Sequence, residues 1–341
     1  MAVSFRREPD FANLAAVLEK KVPTRPVFFE FYMNQRLYQA LTADLSDREV
    51  GGTWAHRTMY AYARAGFDHF ITAPTAFAFP AENRCLSTMS INDSMFSTRE
   101  GFDAYRKKIP DPGELPLDNY LALAEALPGK MKLIPSCPNG ILENVIRLVG
   151  YENLCIMRYE DEELFSDIFE YVGSLTKKHI LRAMKFDFVG AIMLNDDWGF
   201  NTQTMLSPAD LRKYVFPWYK EVIAEAHACG KYAILHSCGA YRDIIGDIID
   251  DMKFDARHSY EDNIVPVEKA YEELQGKLAV LGGIDINFLV NAGEDEIRRR
   301  CRDMLDRAAS RGGYALGSGN SIPEYIPDSH FYAMMETALA D

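Results

Sequence analysis

Eight short apolar runs, separated by stretches with helical character, are the feature that most constrains the fold of this 341-residue chain. Each run has the length of a buried strand, and most of them stop abruptly at polar residues. The runs cover residues 26–31, 68–72, 131–136, 188–194, 231–235, 254–257, 278–281 and 313–316. Strands that alternate with helices pair in parallel through crossover connections, and eight such strands can close into a barrel. The pattern therefore predicts an α/β protein of the (β/α)8, or TIM-barrel, class.

An open, doubly wound sheet is the alternative arrangement for alternating strands and helices. That fold usually places a glycine-rich phosphate-binding turn after its first strand, and residues 26–36 contain no glycine. The barrel is therefore the preferred interpretation, with a single domain over residues 1–341. A helix near 10–21 is predicted as an N-terminal helical extension. Residues 73–130 form an insertion after the second strand, which we expect to cover part of the barrel mouth and to dock a partner.

Composition and charge exclude several classes of protein. The formal net charge is −13, which argues against nucleic acid or an anionic membrane as the main partner. No apolar run approaches the roughly 20 residues of a membrane-spanning helix, and the first residues lack the apolar core of a signal peptide. We therefore expect a cytoplasmic protein whose six cysteines are reduced thiols, at positions 85, 137, 155, 229, 238 and 301.

His236 and Cys238 stand two residues apart where the fifth run ends. Because side chains on a strand alternate with a period of two, both are expected to point to the same side. An imidazole and a thiol that converge suit a soft divalent metal, above all zinc. Two ligands do not complete a tetrahedral site, so a buried thiol beside a hydrogen-bonded histidine is the competing interpretation.

Polar side chains also follow most of the other predicted strands. In TIM barrels the catalytic groups lie at the carboxyl ends of the strands. Each of these residues alone can be an ordinary turn residue, but together they place carboxylates, thiols and imidazoles on one rim. The residues are Glu30, Cys137, Asn195, Asp196, Asp197, His258, Glu261, Asp285, Ser318 and Asn320. We predict Asn195, Asp196 and Asp197 as catalytic residues that position the substrate or relay a proton.

Aromatic and polar residues near the same rim are candidates for a substrate pocket. Aromatic side chains there either wall an apolar pocket or pack inside the barrel, and the sequence leaves both interpretations open. The residues predicted to contact the substrate are Phe29, Tyr32, Trp198, His258, Ser318 and Asn320.

Four short motifs, taken in order, resemble the uroporphyrinogen decarboxylase superfamily. They are NDDWG at 195–199, HSCG at 236–239, GGID at 282–285 and GSGNSIP at 317–323. The resemblance is clearest over residues 192–323 and is closer to the methyltransferases of that superfamily, which act with corrinoid proteins. It implies a TIM barrel, a zinc ion held by His236 and Cys238, and a corrinoid (cobalamin) carried by a separate partner protein. It also implies a homodimer.

The sequence departs from the pattern of that superfamily at its last motif. Members that methylate a small thiol have a further cysteine there, and residues 317–323 contain none. We therefore predict a carboxylate as the third zinc ligand, Glu261 first and Asp285 second, with Cys137 as the next candidate. Because it lacks this cysteine, the chain is more similar to the O-demethylase-like members, which take methyl groups from methoxylated compounds. The arginine-rich N-terminal segment around the first strand of the decarboxylases is also missing, since only Arg25 and Arg36 flank residues 26–31.

Three functions remain open from the sequence. The first is zinc-dependent transfer of a methyl group from a small methylated, and by resemblance methoxylated, substrate to a corrinoid protein. The second is metal-free decarboxylation of the uroporphyrinogen decarboxylase type, with Asp196 or Asp197 stabilising a protonated substrate. The third is a non-catalytic protein that binds its ligand in the barrel mouth. A stretch at 225–230 that is similar to a cobalamin-binding motif is expected to be an ordinary helix end.

Overall fold

The computed structural model describes residues 7–80 and 94–339. Within these residues, seven parallel strands lie where the second to eighth apolar runs predict them. They are β1 (His69–Thr72), β2 (Lys132–Pro135), β3 (Ala191–Asn195), β4 (Tyr232–His236), β5 (Ala256–His258), β6 (Ala279–Leu281) and β7 (Tyr314–Ala315). Two isolated bridges, Leu133 with Val189 and Ser136 with Met193, join β2 and the residue after it to β3 and the segment just before it. The strands therefore form one continuous wall.

The first predicted strand pairs with the last one, as closure of a barrel requires. Phe29 N donates to Leu316 O, and Leu316 N donates to Val27 O, both at 2.8 Å. The pairing stops there because Ser318 N donates at 2.6 Å to the Glu30 carboxylate instead of a backbone carbonyl. The TIM barrel predicted from the sequence is thereby confirmed, with its first strand reduced to a single bridge.

Apolar side chains from alternate strand positions fill the barrel interior, and helix α1 (Phe11–Leu18) closes one end of it. Asp10 caps α1 by accepting a hydrogen bond from Ala12 N. The Phe11 ring lies against Gly190, just before β3, where a Cβ atom would come within 2.3 Å of the ring. The predicted N-terminal helical extension is therefore confirmed, and the carboxyl-terminal ends of the strands form the open mouth.

Helices surround the barrel wall and connect its strands. They are α2 (Gln35–Leu41), α3 (Trp54–Ala65), α4 (Arg99–Arg106), α5 (Asp118–Glu125), α6 (Ile141–Val149), α7 (Tyr151–Glu160), α8 (Glu162–Leu181), α9 (Pro208–Asp210), a π-helical turn (Leu211–Val215), α10 (Phe216–Ala228), a 3₁₀ turn (Arg242–Ile244), a second π-helical turn (Asp247–Asp251), α11 (Val267–Leu274), α12 (Ile286–Asn291), α13 (Glu294–Ala308) and α14 (Asp328–Thr337). The helical stretch predicted over 142–185 is divided because Gly150 adopts a φ of 81° and Asp161 caps α8. In the described part of the chain, no helix combines the length and apolar character needed to cross a membrane.

The described part of the insertion packs on the outside of the barrel. Lys178, in the last turn of α8, donates to the Asp111 carboxylate. Arg182 donates to Pro112 O at 2.6 Å. His179 Nδ1, in the same turn of α8, lies 3.1 Å from the hydroxyl of Thr75, which follows β1, so the insertion packs along this helix from the end of β1 onwards. That residues 73–130 cover part of the mouth and dock a partner stays a prediction. Residues 81–93, with Cys85, lie outside the described residues.

Candidate metal centre

Three side chains that suit a metal meet at the mouth, on the loops that follow β3 and β4. One donor atom each from Asp197, His236 and Cys238 lies within 4.8 Å of the other two. The β3–β4 register places Asn195 beside His236, so both loops leave the wall at the same height. The loops touch because Gly239, with a φ of 85°, leaves no Cβ; such an atom would lie 2.0 Å from a backbone oxygen of the facing loop. Cys238 N then donates to Asp197 Oδ1 at 2.7 Å.

The geometry of these donors fits a zinc ion. Zinc bonds of about 2.3 Å to sulfur and 2.1 Å to nitrogen, at a tetrahedral angle, place the two donor atoms roughly 3.6 Å apart. Cys238 Sγ and His236 Nε2 are 3.8 Å apart. A nitrogen, a sulfur and a carboxylate oxygen form a three-ligand set that leaves one position open, as in catalytic zinc sites.

A second histidine fixes the orientation of the His236 ring. His236 Nδ1 and His258 Nδ1 are 2.7 Å apart, so one of them donates to the other. Burial lowers the pKa of His236 to about 4, and it lowers the pKa of His258 well below its usual value, so both rings are neutral. When His236 donates from Nδ1, its Nε2 lone pair is free to face Cys238.

We expect His258→Leu to weaken zinc binding about 10- to 100-fold, because removal of a partner that orients a metal-binding histidine has that effect elsewhere. His258→Gln, which can still accept from His236 Nδ1, should retain most of the affinity. Competition with a chromophoric chelator measures both values. Equal affinity in the leucine and glutamine variants would show that the histidine pair does not position the ligand.

Two further side chains contact the Cys238 sulfur. Ser259 Oγ donates to it at 3.2 Å, and Asn320 Nδ2 donates at 3.3 Å. Ser259 adopts a φ of 83° and is held there by Arg257, which donates to Ser259 O at 2.6 Å. The last predicted motif, which contains no cysteine, thus supplies an amide to the sulfur through Asn320. The contacts of Arg257 and Ser259 were not predicted, because neither residue type signals a metal site.

The two carboxylates predicted as the third ligand do not join this group. Asp285 caps α12: its Oδ1 accepts from Phe288 N at 3.0 Å, and its Oδ2 accepts from Asp262 N at 2.9 Å. Glu261 lines a polar cavity of 420 Å³, together with Asp285 and Asn320, and is not one of the three grouped donors. The next candidate, Cys137, is buried, which raises the pKa of its thiol to about 12. The carboxylate that lies with His236 and Cys238 is that of Asp197, which becomes the candidate for the third ligand.

Asp196 has a different role from its neighbour Asp197. Its carboxylate is fully buried at the start of α6 and accepts four hydrogen bonds of 2.8–3.0 Å. The donors are Leu142 N, Glu143 N, Trp198 Nε1 and the Tyr219 hydroxyl. Burial still raises the pKa of Asp196 to about 6. Because both oxygens are occupied, the predicted catalytic role does not fit this carboxylate; it holds α6 against the β3 loop instead.

Asn195 also joins loops instead of facing the mouth. With its amide oriented to satisfy both atoms, it donates to Cys137 O at 2.6 Å and accepts from Asn139 N at 3.3 Å. These bonds tie the end of β3 to the loop that follows β2. We therefore assign Asn195 to positioning and not to contact with substrate.

Most of the residues predicted to contact the substrate are buried in the wall. Phe29, Trp198, His258 and Ser318 are each at most 1% exposed. Their side chains are used internally: Ser318 Oγ, for example, donates to Glu30 Oε2 at 2.7 Å. Alternation along a strand turns such residues into the barrel or its wall, and contact of these four with a substrate stays a prediction. The other two differ, since Tyr32 is 51% exposed and Asn320 lines the polar cavity.

Glu143, in the first turn of α6, is a titratable residue beside the site that the sequence analysis did not select. Its carboxyl group accepts from Gly140 N at 3.2 Å. Burial first, and then the negative charges of Asp197 and Asp196, raise its pKa well above the usual value. A glutamate three residues after a helix begins is ordinarily read as a cap, so the sequence carried no separate signal for this acid.

The fold and the candidate metal ligands at its mouth are those of a TIM-barrel protein of the enzyme type, in which the chemistry lies at the carboxyl ends of the strands. Residues 91–340 match the uroporphyrinogen decarboxylase (URO-D) family, and the chain belongs to that family. The resemblance to this family found in the sequence is confirmed.

Individual relatives are distant. Uroporphyrinogen decarboxylase from Syntrophotalea carbinolica is 26% identical over 183 residues, which cover 51% of this chain and 48% of that protein. The same enzyme from Geobacter metallireducens is 25% identical over 268 residues, covering 75% and 76%. The chain thus spans about half the length of several of the curated relatives that it matches. Among solved structures, a methyltransferase from Methanosarcina mazei aligns over 98% of both chains with a TM-score of 0.64 and 13% identity, which supports the fold.

Proposed function

We propose that this protein is a zinc-dependent methyltransferase that moves a methyl group from a small methoxylated substrate to the corrinoid of a partner protein. The observation that supports this most directly is the nitrogen, sulfur and oxygen donor set of His236, Cys238 and Asp197 at the barrel mouth. The decarboxylase function requires no such set. The resemblance of the sequence motifs to the corrinoid-dependent branch points in the same direction.

The reaction needs assistance because an ether oxygen is a poor leaving group. A zinc ion, when bound, supplies Lewis-acid stabilisation of the negative charge that develops on that oxygen. The carbon–oxygen bond would break with its electron pair left on the oxygen, which would take up one proton, and the methyl group would pass to the reduced corrinoid of the partner protein as the acceptor. The contribution of the chain is to orient His236 through His258 and to hold the Cys238 sulfur between Ser259 and Asn320.

Decarboxylation is the second candidate, favoured by membership of the URO-D family and by the names of the curated relatives. A porphyrinogen with many carboxylates requires several arginines around its pocket. The polar cavity at the mouth is lined by Glu261 and Asp285 and has no arginine or lysine in its wall. This charge pattern disfavours a polycarboxylate substrate.

Metal analysis and two activity assays distinguish the candidates. The purified protein is expected to contain about one zinc per chain. It should also methylate a corrinoid protein from a methoxylated donor, and lose and regain this activity when zinc is removed and restored. Release of carbon dioxide from porphyrinogen by zinc-free protein would instead establish the decarboxylase. Cys229→Ala removes an exposed cysteine at a helix end, outside the donor set. It should leave zinc content and activity unchanged, and it therefore controls for the loss of a thiol elsewhere in the chain.

A further inference from the structure

An aromatic cavity opens at the mouth beside the candidate metal centre. It has a volume of 350 Å³ and lies between the start of α3, the end of β1 and the segment after the first predicted strand. Its walls include five aromatic rings, those of Tyr32, Tyr38, Trp54, Tyr62 and Phe70. Trp54 and Tyr32 are about half exposed, at 48% and 51%, so they are accessible to a ligand. We call this space the aromatic cavity.

The aromatic cavity presents mainly ring faces, and two of its three tyrosine hydroxyl groups are paired with backbone atoms. The Tyr38 hydroxyl accepts from Met33 N at 2.9 Å, and the Tyr62 hydroxyl donates to Phe31 O at 2.8 Å. Thr58 Oγ1 similarly donates to Ala55 O at 2.9 Å. Because these polar groups are already paired with backbone, a ligand would meet mainly the apolar surfaces of the side chains.

None of the residues that line the aromatic cavity, all of them in the described part of the chain, carries a charge. An anionic ligand would lose its hydration there without gaining a partner, which is costly. This argues against a polycarboxylate, which needs arginines. A methylammonium ion also binds to the faces of aromatic rings, so it is the competing ligand in the titration below. The lining fits an uncharged planar group.

The aromatic cavity lies next to the proposed metal ligands. The Phe31 ring stacks on Tyr32 with centroids 4.1 Å apart, and it packs on the His236 ring at 4.6 Å. On the other side, Ser136 and Pro138 line the cavity at the end of β2, on the loop that Asn195 ties to β3. The Phe31 side chain therefore lies between the wall of the cavity and the candidate metal ligand His236.

We propose that the aromatic cavity binds the uncharged aromatic ring of an aryl methyl ether and directs its methoxy group towards the metal centre. The identification of this ring as the methyl donor rests on the proposed methyltransferase function. The binding of the ring does not, since it depends only on the aromatic and uncharged lining. A volume of 350 Å³ is within the usual range for small-molecule sites and suits one substituted benzene ring.

Isothermal titration calorimetry with 1,2-dimethoxybenzene tests this site on the zinc-loaded protein without any corrinoid partner. Saturable binding is expected, and Trp54→Ala should weaken it about tenfold, because the variant removes one of the two accessible rings. Ala55→Phe, which fills the cavity from the same helix, should weaken it at least as much. Tyr159→Ala changes an 88% exposed ring on α7 and should have no effect. Zinc content and unfolding temperature, measured on each variant, show whether it has folded.

The outcomes separate the cavity from the reaction. Absence of binding, or binding as tight as that of the wild type in both Trp54→Ala and Ala55→Phe, would overturn the proposal even if methyl transfer is observed with other donors. Tighter binding of tetramethylammonium than of 1,2-dimethoxybenzene would also overturn it. Binding of the ring that is weaker in both variants would support the proposal. If such binding is found but no methyl transfer is observed, the proposed function is wrong and the binding site is still supported.

Discussion

Replacing Asp197 with asparagine is expected to lower the affinity of the protein for zinc more than about hundredfold, beyond the effect usual for residues that only orient a ligand. Asp197 supplies the anionic oxygen of the three-donor group with His236 and Cys238. A lone imidazole and thiolate leave zinc two ligands short of a tetrahedral site. The asparagine oxygen can still accept the hydrogen bond from Cys238 N, so the loop should keep its conformation. Chelator competition gives the affinity, and elemental analysis gives the occupancy.

Glu261→Gln is the matched control, since it also removes one carboxylate at the mouth while preserving shape. It should leave zinc affinity unchanged, because Glu261 lines the polar cavity and lies outside the donor group. Asp285→Asn should likewise retain zinc, although it alters the cap of α12. The opposite result would be loss of zinc in Glu261→Gln together with full retention in Asp197→Asn. It would show that Glu261 is the third ligand, as predicted from the sequence, and that Asp197 only orders the loop.

The barrel itself could be predicted because its strands are nearly continuous apolar runs, which parallel strands buried on both faces require. The exception was the first strand. Glu30 takes the backbone donor of Ser318 on its side chain, so the ladder ends early. Sequence patterns report which residues are apolar, but they do not report when a side chain replaces a backbone partner that is 288 positions away.

At the site, the spacing of His236 and Cys238 predicted their convergence, and the structure brings them together. The pair Asp196 and Asp197 shows why spacing alone was insufficient. Adjacent residues on an extended segment point in opposite directions, and the sequence gives no sign of which carboxylate faces inward. The choice is made by α6, whose free backbone N–H groups bind Asp196 and leave Asp197 for the Cys238 loop.

The aromatic cavity was only partly predictable, through Tyr32. Its other rings come from α2, α3 and β1, and none of them lies at the end of a predicted strand. A search restricted to strand ends therefore missed Trp54. The contact of Asn320 with the Cys238 sulfur joins loops that are 82 residues apart, so it depends on closure of the barrel and not on any local pattern.

Arg257→Met is expected to lower the free energy of unfolding by about 2–5 kcal/mol, because it leaves buried backbone carbonyls without donors. Arg257 is 1% exposed and donates to Ser237 O at 2.7 Å and to Ser259 O at 2.6 Å. Its guanidinium also lies between two rings, 3.9 Å from the centroid of Tyr241 and 4.8 Å from that of Tyr260. Urea unfolding of the zinc-free protein measures the loss without a contribution from metal binding.

The same substitution should also weaken zinc binding, because Ser259 needs Arg257 to hold its unusual backbone conformation and to keep its hydroxyl on the Cys238 sulfur. Arg242→Met removes an exposed arginine from the turn that follows β4 and should change neither quantity. Arg257→Lys can restore one of the two carbonyl contacts, so it should fall between the wild type and Arg257→Met in stability. If Arg257→Met loses stability but binds zinc as tightly as the wild type, the arginine supports only the barrel wall, and the sulfur is held by Asn320 without help from Ser259.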